Sequence, residues 1–398
     1  MIDKIKKLAA EYKDEIISIR RHIHAHPELS FQEYETSKYI QSVLDRHEIS
    51  YTSGWVNTGI VGLISNDSAH SKTIGLRADI DALPISEQNK VSYKSKNEGV
   101  MHACGHDVHT ASLLGALLIL NQLKDKLKGN VKFIFQPGEE KLPGGAKLMI
   151  EEGVLENPTP DLIIGQHVHP PLATGKFGIR GGQYMASADE IFIDITGKGG
   201  HAALPHELVD PVLISSHLIV ALQQVVSRKS NPFIPSVLSF GKINSDGGAT
   251  NIIPDKVKIQ GTFRTMDEEW REKAHQKIED LTHQLTESMG GRAEIKIIKG
   301  YPFLYNHEEL TATIQNHMED YIGKDNVVEL PKRMSAEDFS YYGHKIPGCF
   351  YRLGTGNVSK GITSSVHTST FDIDEQALIH GSGMMAYLAI KALEENTL

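Results

Sequence analysis

The sequence is poor in cysteine and has no long apolar run. Only Cys104 and Cys349 occur among its 398 residues. A disulfide-stabilised scaffold of this size would need more, so we expect reduced thiols. No stretch approaches the roughly 20 consecutive apolar residues that span a bilayer. The N-terminal segment is charged throughout and has apolar residues at helical spacing, unlike a secretory signal peptide. These features predict a cytoplasmic protein without a membrane partner.

Concentrated positive charge is also missing. Lysine and arginine total 41 against 50 acidic residues, which gives a net charge of −9 at pH 7. Nucleic-acid binding requires a dense basic surface that neutralises phosphates, and no long basic run occurs, so we expect no nucleic-acid partner. Histidine, in contrast, is abundant at 20 residues. Several histidines lie in tight groups with carboxylates, which indicates metal binding.

A chain of this length exceeds what one core commonly fills, so two domains are expected. The first ~180 residues alternate strands and helices, which favours an α/β fold with a mostly parallel sheet flanked by helices. Predicted strands cover 59–64, 73–79, 131–136 and 161–167, and a predicted helix covers 110–127. Polar clusters follow these strands, and open α/β sheets bind their ligands at the carboxyl ends of strands.

The pattern changes between residues 186 and 300. Strands at 190–196, 236–244, 256–264 and 293–299 and helices at 210–227 and 268–289 give the order β-α-β-β-α-β. This order is the split-βαβ arrangement of ferredoxin-like domains. We therefore predict an inserted domain at 186–300 and assign 1–185 and 301–398 to one catalytic domain.

The segment HACGHDVH contains three histidines, a cysteine and an aspartate within eight residues, directly before an apolar helix. Thiolate and imidazole together suit a borderline cation such as Zn²⁺, and a spacing of two residues lets two side chains approach one metal. The alternative is an ordinary helix start with Asp107 as N-cap and solvated histidines. The density of ligand-type side chains favours the metal site.

Carboxylates and histidines also occur at other strand ends. Glu139 and Glu140 follow the strand at 131–136, where adjacent carboxylates are costly unless cations or protons are present. One could bind metal while the other takes a proton, and a solvated turn is the alternative. Asp79 and Asp81 alternate along a strand, so we expect them to face opposite ways unless the chain bends there, and only one of them to face the site. His167 could equally be an ordinary surface histidine.

Taken together, the motifs resemble the metal-dependent aminoacylase and carboxypeptidase superfamily. The similarity is to the branch of hippurate hydrolases, N-acyl-amino-acid deacetylases and indole-acetyl-amino-acid hydrolases, and it covers essentially the whole chain. It runs through HAHPELSFQE, RADIDALP, HACGHDVHTA, FQPGEE, GQHV, GKGGHAALPH, TNIIP, GTFR, SAEDF, LGTG and HTSTFD. Two motifs depart from the family's pattern. Where the family commonly has HVWP and HHTP, this sequence has HVHP and VHTS. The departures place His169 and Val366 at the pocket wall and change no matched ligand.

The resemblance implies a dinuclear metallopeptidase-like catalytic domain and an inserted lid and dimerisation domain. Two divalent cations per subunit are implied, zinc or manganese first, with nickel or cobalt as further candidates. The residues that match metal ligands are Cys104, His106, Glu140, His167 and His367.

The resemblance also implies roles outside the ligand set. Glu139 matches the general base, and Asp81 matches a carboxylate that orients the metal site. In the inserted domain the residues that match substrate contacts are His201, Asn251 and Arg264. The glycine-rich LGTG lacks a phosphate-loop context, so we assign Gly354 to close backbone packing near the substrate.

The implied activity is hydrolysis of the amide bond of an N-acyl amino acid by a metal-activated water, in a homodimer formed through the inserted domain. The nearest alternative is cleavage of dipeptides or other small peptides by the same chemistry. A non-catalytic ligand-binding relative would be expected to lack Glu139 or a ligand, and none is missing. A nucleophilic hydrolase using Cys104 would need an unligated thiolate beside a base.

Overall fold

The computed structural model describes residues 1–65 and 72–395. The chain forms two compact units, each with its own apolar core. The first unit consists of Met1–Gly182, Tyr305–Pro331 and Asp338–Leu398, and the second consists of Gln183–Leu304 and Lys332–Glu337. Residues 183–185, 301–304 and 332–337 therefore belong to the second unit, although the sequence pattern places them in the catalytic domain.

Ten α-helices and sixteen strands occur in the described part of the chain, and none of these helices is long and apolar enough to cross a membrane. The helices are α1 (Ile2–Glu11), α2 (Lys13–Ala25), α3 (Tyr34–Arg46), α4 (His106–Gln122), α5 (Gly145–Glu151), α6 (Pro211–Gln224), α7 (Glu268–Ser288), α8 (Glu308–Ile322), α9 (Ser340–Gly343) and α10 (Gln376–Glu394). The strands are β1 (Tyr51–Trp55), β2 (Gly59–Ile64), β3 (Thr73–Asp79), β4 (Asn130–Gln136), β5 (Leu162–Ala173), β6 (Phe177–Ile179), β7 (Gly182–Met185), β8 (Asp189–Thr196), β9 (Gly200–His201), β10 (Ser236–Ser245), β11 (Ile252–Ile253), β12 (Lys256–Thr265), β13 (Arg292–Lys299), β14 (Leu304–Asn306), β15 (Val327–Glu329) and β16 (Gly348–Gly356).

An eight-stranded sheet forms the centre of the first unit, in the order β1-β2-β4-β3-β5-β16-β6-β15. The four central strands, β4, β3, β5 and β16, run parallel, whereas β1 and β2 extend the sheet in antiparallel fashion. Every residue of β3 and β4 is buried, as their near-continuous apolar sequences predict for strands covered on both faces. The predicted α/β fold with a mostly parallel sheet flanked by helices is confirmed.

Helix α4 begins four residues before the predicted start at 110. Gly105 precedes it in the left-handed region, with φ 85°, and a Cβ at this position would lie 2.6 Å from Val168 Cγ2. The helix is buried along nearly its whole length. It ends at Gln122, before the predicted end at 127, and the residues Lys124–Lys126 form a separate 3₁₀ segment. The early start places His106 and His109 on the helix itself.

The second unit contains a four-stranded antiparallel sheet in the order β10-β12-β8-β13. Burial alternates along β8, so that Ile191, Ile193 and Ile195 point into a core covered by α6 and α7. Asp210 and Asp267 cap these helices by accepting hydrogen bonds from the first-turn N–H groups. The order β8-α6-β10-β12-α7-β13 is the predicted split-βαβ arrangement.

Candidate metal centre

Three neighbouring strands bring polar side chains to one edge of the large sheet. β3 ends at Asp79, which pairs with Gln136 at the end of β4. Arg77 of β3 pairs with Gly165 of β5, two residues before His167. Because these strands are parallel, the residues that follow β3 and β4 and the histidine on β5 lie at the same edge.

The five predicted metal ligands lie in two overlapping groups. Cys104, His106 and His167 form one group, and Cys104, Glu140 and His367 form the other, with the ligand atoms of each group within 4.8 Å of one another. His367 Nε2 lies 3.2 Å from Cys104 Sγ and 3.3 Å from Glu140 Oε1. Cys104 Sγ lies 3.5 Å from His167 Nε2. The cysteine sulfur is therefore the junction of the two groups.

The hydrogen bonds of the histidines suit cation binding. His167 Nδ1 donates to the Val168 carbonyl at 2.8 Å, so its Nε2 carries the lone pair that faces Cys104. His106 Nδ1 lies 3.1 Å from Asp81 Oδ1, while its buried Nε2 has no hydrogen-bond partner among the described residues. Buried polar atoms without partners are costly, and a divalent cation would satisfy them.

The ionisation of the ligands is set by burial and by their mutual contacts. Burial raises the pKa of the Cys104 thiol, and the charge of Glu140 raises it further. Hydrogen bonds to Cys104 and Glu140 raise the pKa of His367 to about 10. Burial lowers the pKa of His167, which favours the neutral ligand form. Protons on the thiol and on His367 compete with a cation, so metal affinity should fall as pH is lowered.

Both aspartates of the RADID segment contact the cluster. Asp81 approaches His106 as described, and Asp79 Oδ1 accepts from His109 Nδ1 at 2.6 Å. His109 Nε2 in turn accepts from the Val168 N–H at 2.9 Å. The expectation that only one aspartate faces the site is wrong, because residues two apart in an extended segment point to the same side.

The alternative of an ordinary helix start is also excluded. His106, Asp107 and His109 are each 0% exposed, and the N-cap is Gly105. Asp107 accepts hydrogen bonds from Arg20 Nε at 2.7 Å and from His24 Nδ1 at 2.8 Å. It therefore anchors α4 against α2.

Glu139 lies beside the ligands and is only 7% exposed. Its Oε2 is 3.9 Å from His106 Nε2, and its Oε1 accepts a long hydrogen bond of 3.4 Å from the Asp338 N–H. The adjacent Glu140 points an oxygen into the second ligand group. Both carboxylates also form a ligand-type group with His106, whose Nε2 lies 3.9 Å from Glu139 and 4.0 Å from Glu140. Their separate roles in proton transfer and metal binding stay predictions.

A buried ion-pair network beneath the site was not predicted. Arg77 contacts both Asp79 and Asp338 at 2.6 Å, and its Nε donates to Gln136 Oε1 at 2.9 Å. Gln136 Nε2 also donates to Asp338, whose Oδ2 accepts from the Ala146 N–H. The available signal was an arginine in an otherwise apolar strand, since such a residue must find buried acidic partners.

The second unit carries the three predicted substrate contacts. His201 lies in β9, which pairs with β11, and the neighbouring Ala202 N–H donates to the Asn251 carbonyl at 3.0 Å. His201 and Asn251 are therefore close together, and both are exposed. Arg264 in β12 is half-buried, with Nη1 3.3 Å from the Met334 carbonyl. Their roles toward substrate stay predictions.

Gly354 lies in β16 within the first unit, where its backbone is tightly packed. Its N–H donates to the Lys176 carbonyl at 2.9 Å, and a Cβ would lie 2.2 Å from the Ala173 carbonyl oxygen. The glycine is therefore required by the close approach of the β5–β6 connection. A contact with substrate stays a prediction.

Several known proteins are similar to this chain in sequence and in fold. Residues 75–391 match the family model "Peptidase family M20/M25/M40". The chain belongs to this peptidase family. It is 41% identical to the N-acetyl-L-cysteine deacetylase of Bacillus subtilis, over 96% of this chain and 89% of that protein. It is 40% identical to thermostable carboxypeptidase 2 of Saccharolobus solfataricus, over 98% of each chain.

A solved structure extends the similarity to three dimensions. It is the crystal structure of a Bacillus subtilis protein described as a dinuclear metal binding peptidase from the M20 family. The two structures superpose with a TM-score of 0.83 at 34% identity, over 97% of this chain and 99% of that chain.

Proposed function

We propose that this protein is a metal-dependent amidohydrolase that cleaves the amide bond of N-acyl amino acids. The observation that carries the proposal is the pair of overlapping ligand groups joined at Cys104, with the buried Glu139 beside them. The similarity to a deacetylase of an N-acetyl amino acid supports the substrate class. We propose zinc or manganese as the first candidates for these ligands, with nickel or cobalt as further candidates.

In this proposal the cations are held by the five predicted ligands. When bound, they would polarise the amide carbonyl and make water more acidic. Glu139 takes the proton from the attacking water and passes it to the leaving amine. Asp81 fixes His106 through its Nδ1, so that Nε2 faces the site. His201 donates to the developing oxyanion, while Asn251 and Arg264 bind the free carboxylate of the substrate.

A substrate panel tests this function. The purified protein is treated with a chelator and assayed after adding back each metal singly, on N-acetyl, N-benzoyl and indole-acetyl amino acids and on dipeptides. We expect activity to depend on metal and to be highest on N-acyl amino acids. Activity that survives complete chelation would contradict the proposal and favour Cys104 as a nucleophile.

Cleavage of small peptides is the second candidate. The 40% identity to a thermostable carboxypeptidase over nearly the whole chain favours it. The two substrate classes share the scissile amide and the free carboxylate and differ in the acyl group. A higher kcat/KM on dipeptides than on all N-acyl amino acids of the panel would decide for this candidate.

We also propose a homodimer formed through the second unit, with His201 of one subunit completing the active site of the other. Strand β10 lies at an edge of its sheet and is largely exposed. Val220 on α6 is 74% exposed and Phe233 is 89% exposed. An open strand edge next to exposed apolar side chains is typical of a protein interface. A two-fold axis would bury both at once.

Two measurements test the dimer. Light scattering should show that Val220→Glu weakens the dimer, whereas Val358→Glu, at a similarly exposed position of the first unit (84% against 74%), should not. Mixing inactive His201→Ala subunits with inactive Glu139→Gln subunits should restore some activity, because mixed dimers contain one intact site. Mixtures that exchange subunits and stay inactive would disprove the shared site.

A cytoplasmic location completes the proposal. Both Cys104 and Cys349 are buried free thiols, as expected for a reducing compartment. Cell fractionation with an antibody against the protein would test this location directly.

A further inference from the structure

Glu33 is a fully buried carboxylate in the loop that leads into α3. Its Oε1 accepts hydrogen bonds from the N–H groups of Phe31 at 2.8 Å and Gly138 at 2.9 Å, and its Oε2 accepts from Thr58 Oγ1 at 2.7 Å. Burial raises the pKa of Glu33 to about 7, and the nearby charge of Asp81 acts in the same direction. An acidic group in this position costs free energy that hydrogen bonds only partly offset.

The hydrogen bond to Gly138 connects Glu33 to the turn that carries Glu139 and Glu140. The peptide of Gly138 is held on both sides, because its carbonyl accepts from the Gly145 N–H at 3.1 Å. Gly138 has φ +62°, a conformation that favours glycine. The backbone from which the Glu139 side chain leaves is therefore constrained directly before that residue.

The loop of Glu33 contacts the same turn in two further places. A Cβ on Gly138 would lie 2.4 Å from the Phe31 ring, so the ring occupies that space. Ser30 Oγ donates to Asp81 Oδ2 at 2.6 Å, and the same oxygen accepts from the Glu140 N–H at 3.0 Å. Segment 30–33 therefore supports the turn on both sides of Glu139.

We propose that Glu33 is a positioning residue, whose carboxylate orients Glu139 by holding the Gly138 N–H. The inference rests on the proposed function, in which Glu139 is the general base. Within the described part of the chain, the side-chain hydrogen bonds of Glu33 go to Phe31, Gly138 and Thr58 and to none of the predicted ligands. Its loss should therefore alter proton transfer more than metal binding. Residues of this kind typically contribute roughly 10–100-fold in activity, and a 1 Å displacement of a reacting group can have the same effect.

Three variants separate positioning from general stability. Glu33→Ala removes the acceptor of the Gly138 N–H and should lower kcat roughly 10–100-fold, while KM and metal content stay unchanged. Glu33→Gln should restore kcat, because the amide oxygen can accept both N–H bonds and the amide nitrogen can donate to Thr58 Oγ1. Thr58→Val is the matched control, since it removes one buried hydrogen bond of Glu33 but keeps the bond to Gly138. It should leave kcat unchanged.

Several results would overturn the inference. These are a wild-type kcat in Glu33→Ala, an equal loss of kcat in Thr58→Val, and a loss of metal that accompanies the loss of kcat. If Glu33→Ala does not fold, Glu33→Asp replaces it, because the shorter side chain cannot keep all three hydrogen bonds without moving the turn. An unchanged kcat in that variant would be equally decisive.

Crystal structures of the wild type and of the Glu33 variant provide a readout that is independent of activity. We expect the Glu139 carboxylate to be displaced in the variant while Cys104, His106 and His167 keep their positions. An undisplaced Glu139 refutes the positioning role. A wild-type enzyme without metal-dependent amidase activity refutes only the proposed function, so the two failures are distinguishable.

Discussion

Replacing Arg77 by methionine would test the ion-pair network beneath the site. The side chain is fully buried and neutralises two buried carboxylates, Asp79 and Asp338. Removing one partner of a buried pair typically costs about 3–5 kcal/mol. Asp79 keeps its hydrogen bond to His109, and Asp338 keeps those to Gln136 and Ala146. We therefore expect the free energy of unfolding to fall by about 3 kcal/mol, the lower end of this range. The total free energy of unfolding of a domain is typically about 5–15 kcal/mol.

Each unit carries one of the two tryptophans, so the unfolding of each unit can be followed separately by fluorescence. Trp55 lies in β1 of the first unit and Trp270 in α7 of the second. In a Trp270→Phe background, tryptophan fluorescence during urea unfolding follows the first unit, and in a Trp55→Phe background it follows the second. Arg77→Met should lower the urea midpoint of the first unit only. An unchanged midpoint there, or equal shifts in both units, would refute the reasoning.

The pH dependence provides a second check. Burial raises the pKa of Asp338 to about 6, although the charge of Arg77 lowers it. Without Arg77 this pKa should rise further. Because the folded pKa lies above the unfolded one, the folded state binds more protons, and stability is lost as pH rises toward the folded pKa. Arg77→Met should therefore be less destabilising near about pH 5 than near about pH 8, and adding Asp338→Asn should reduce that difference.

Three further predictions concern the site and its support. Glu139→Gln should keep the metal content and lose roughly 10²–10⁴-fold in kcat, since it removes the proton acceptor but preserves the shape; near-normal turnover would exclude Glu139 as the base. Cys104→Ser should lose metal and activity together, because a ligand is removed; elemental analysis that finds full occupancy would contradict the ligand assignment. Gly145→Ala should destabilise the first unit by about 1–3 kcal/mol, because its Cβ would lie 1.7 Å from the Pro137 carbonyl oxygen. Gly181→Ala is the control in the same unit, because its Cβ would lie no closer than 3.8 Å to a neighbouring atom. Equal urea midpoints of the first unit for the two variants would refute this prediction.

Much of the fold could be predicted because it depends on local patterns. The strand predicted at 73–79 matches β3, and the strand at 131–136 differs from β4 by one residue. Continuous apolar runs predict buried strands, and the change to a β-α-β-β-α-β order marks the second unit. The helix after HACGHDVH was predicted four residues late, because its start depends on the left-handed Gly105 packed against Val168. That contact joins residues far apart in the chain.

The same distinction holds for the candidate site. Residue types and spacing indicated a metal site at the HACGHDVH segment, since few other chemistries combine thiol and imidazoles so densely. Glu140, His167 and His367 were assigned as ligands only through the resemblance to the family. Only the tertiary structure showed that Cys104 joins two ligand groups, that Asp79 and Asp81 both face histidines, and that Arg77 pairs with Asp338 across 261 positions of sequence. Hydrophobic periodicity encodes which face of a strand or helix is buried. It does not encode which buried charges meet, because that depends on how distant strands align in the sheet.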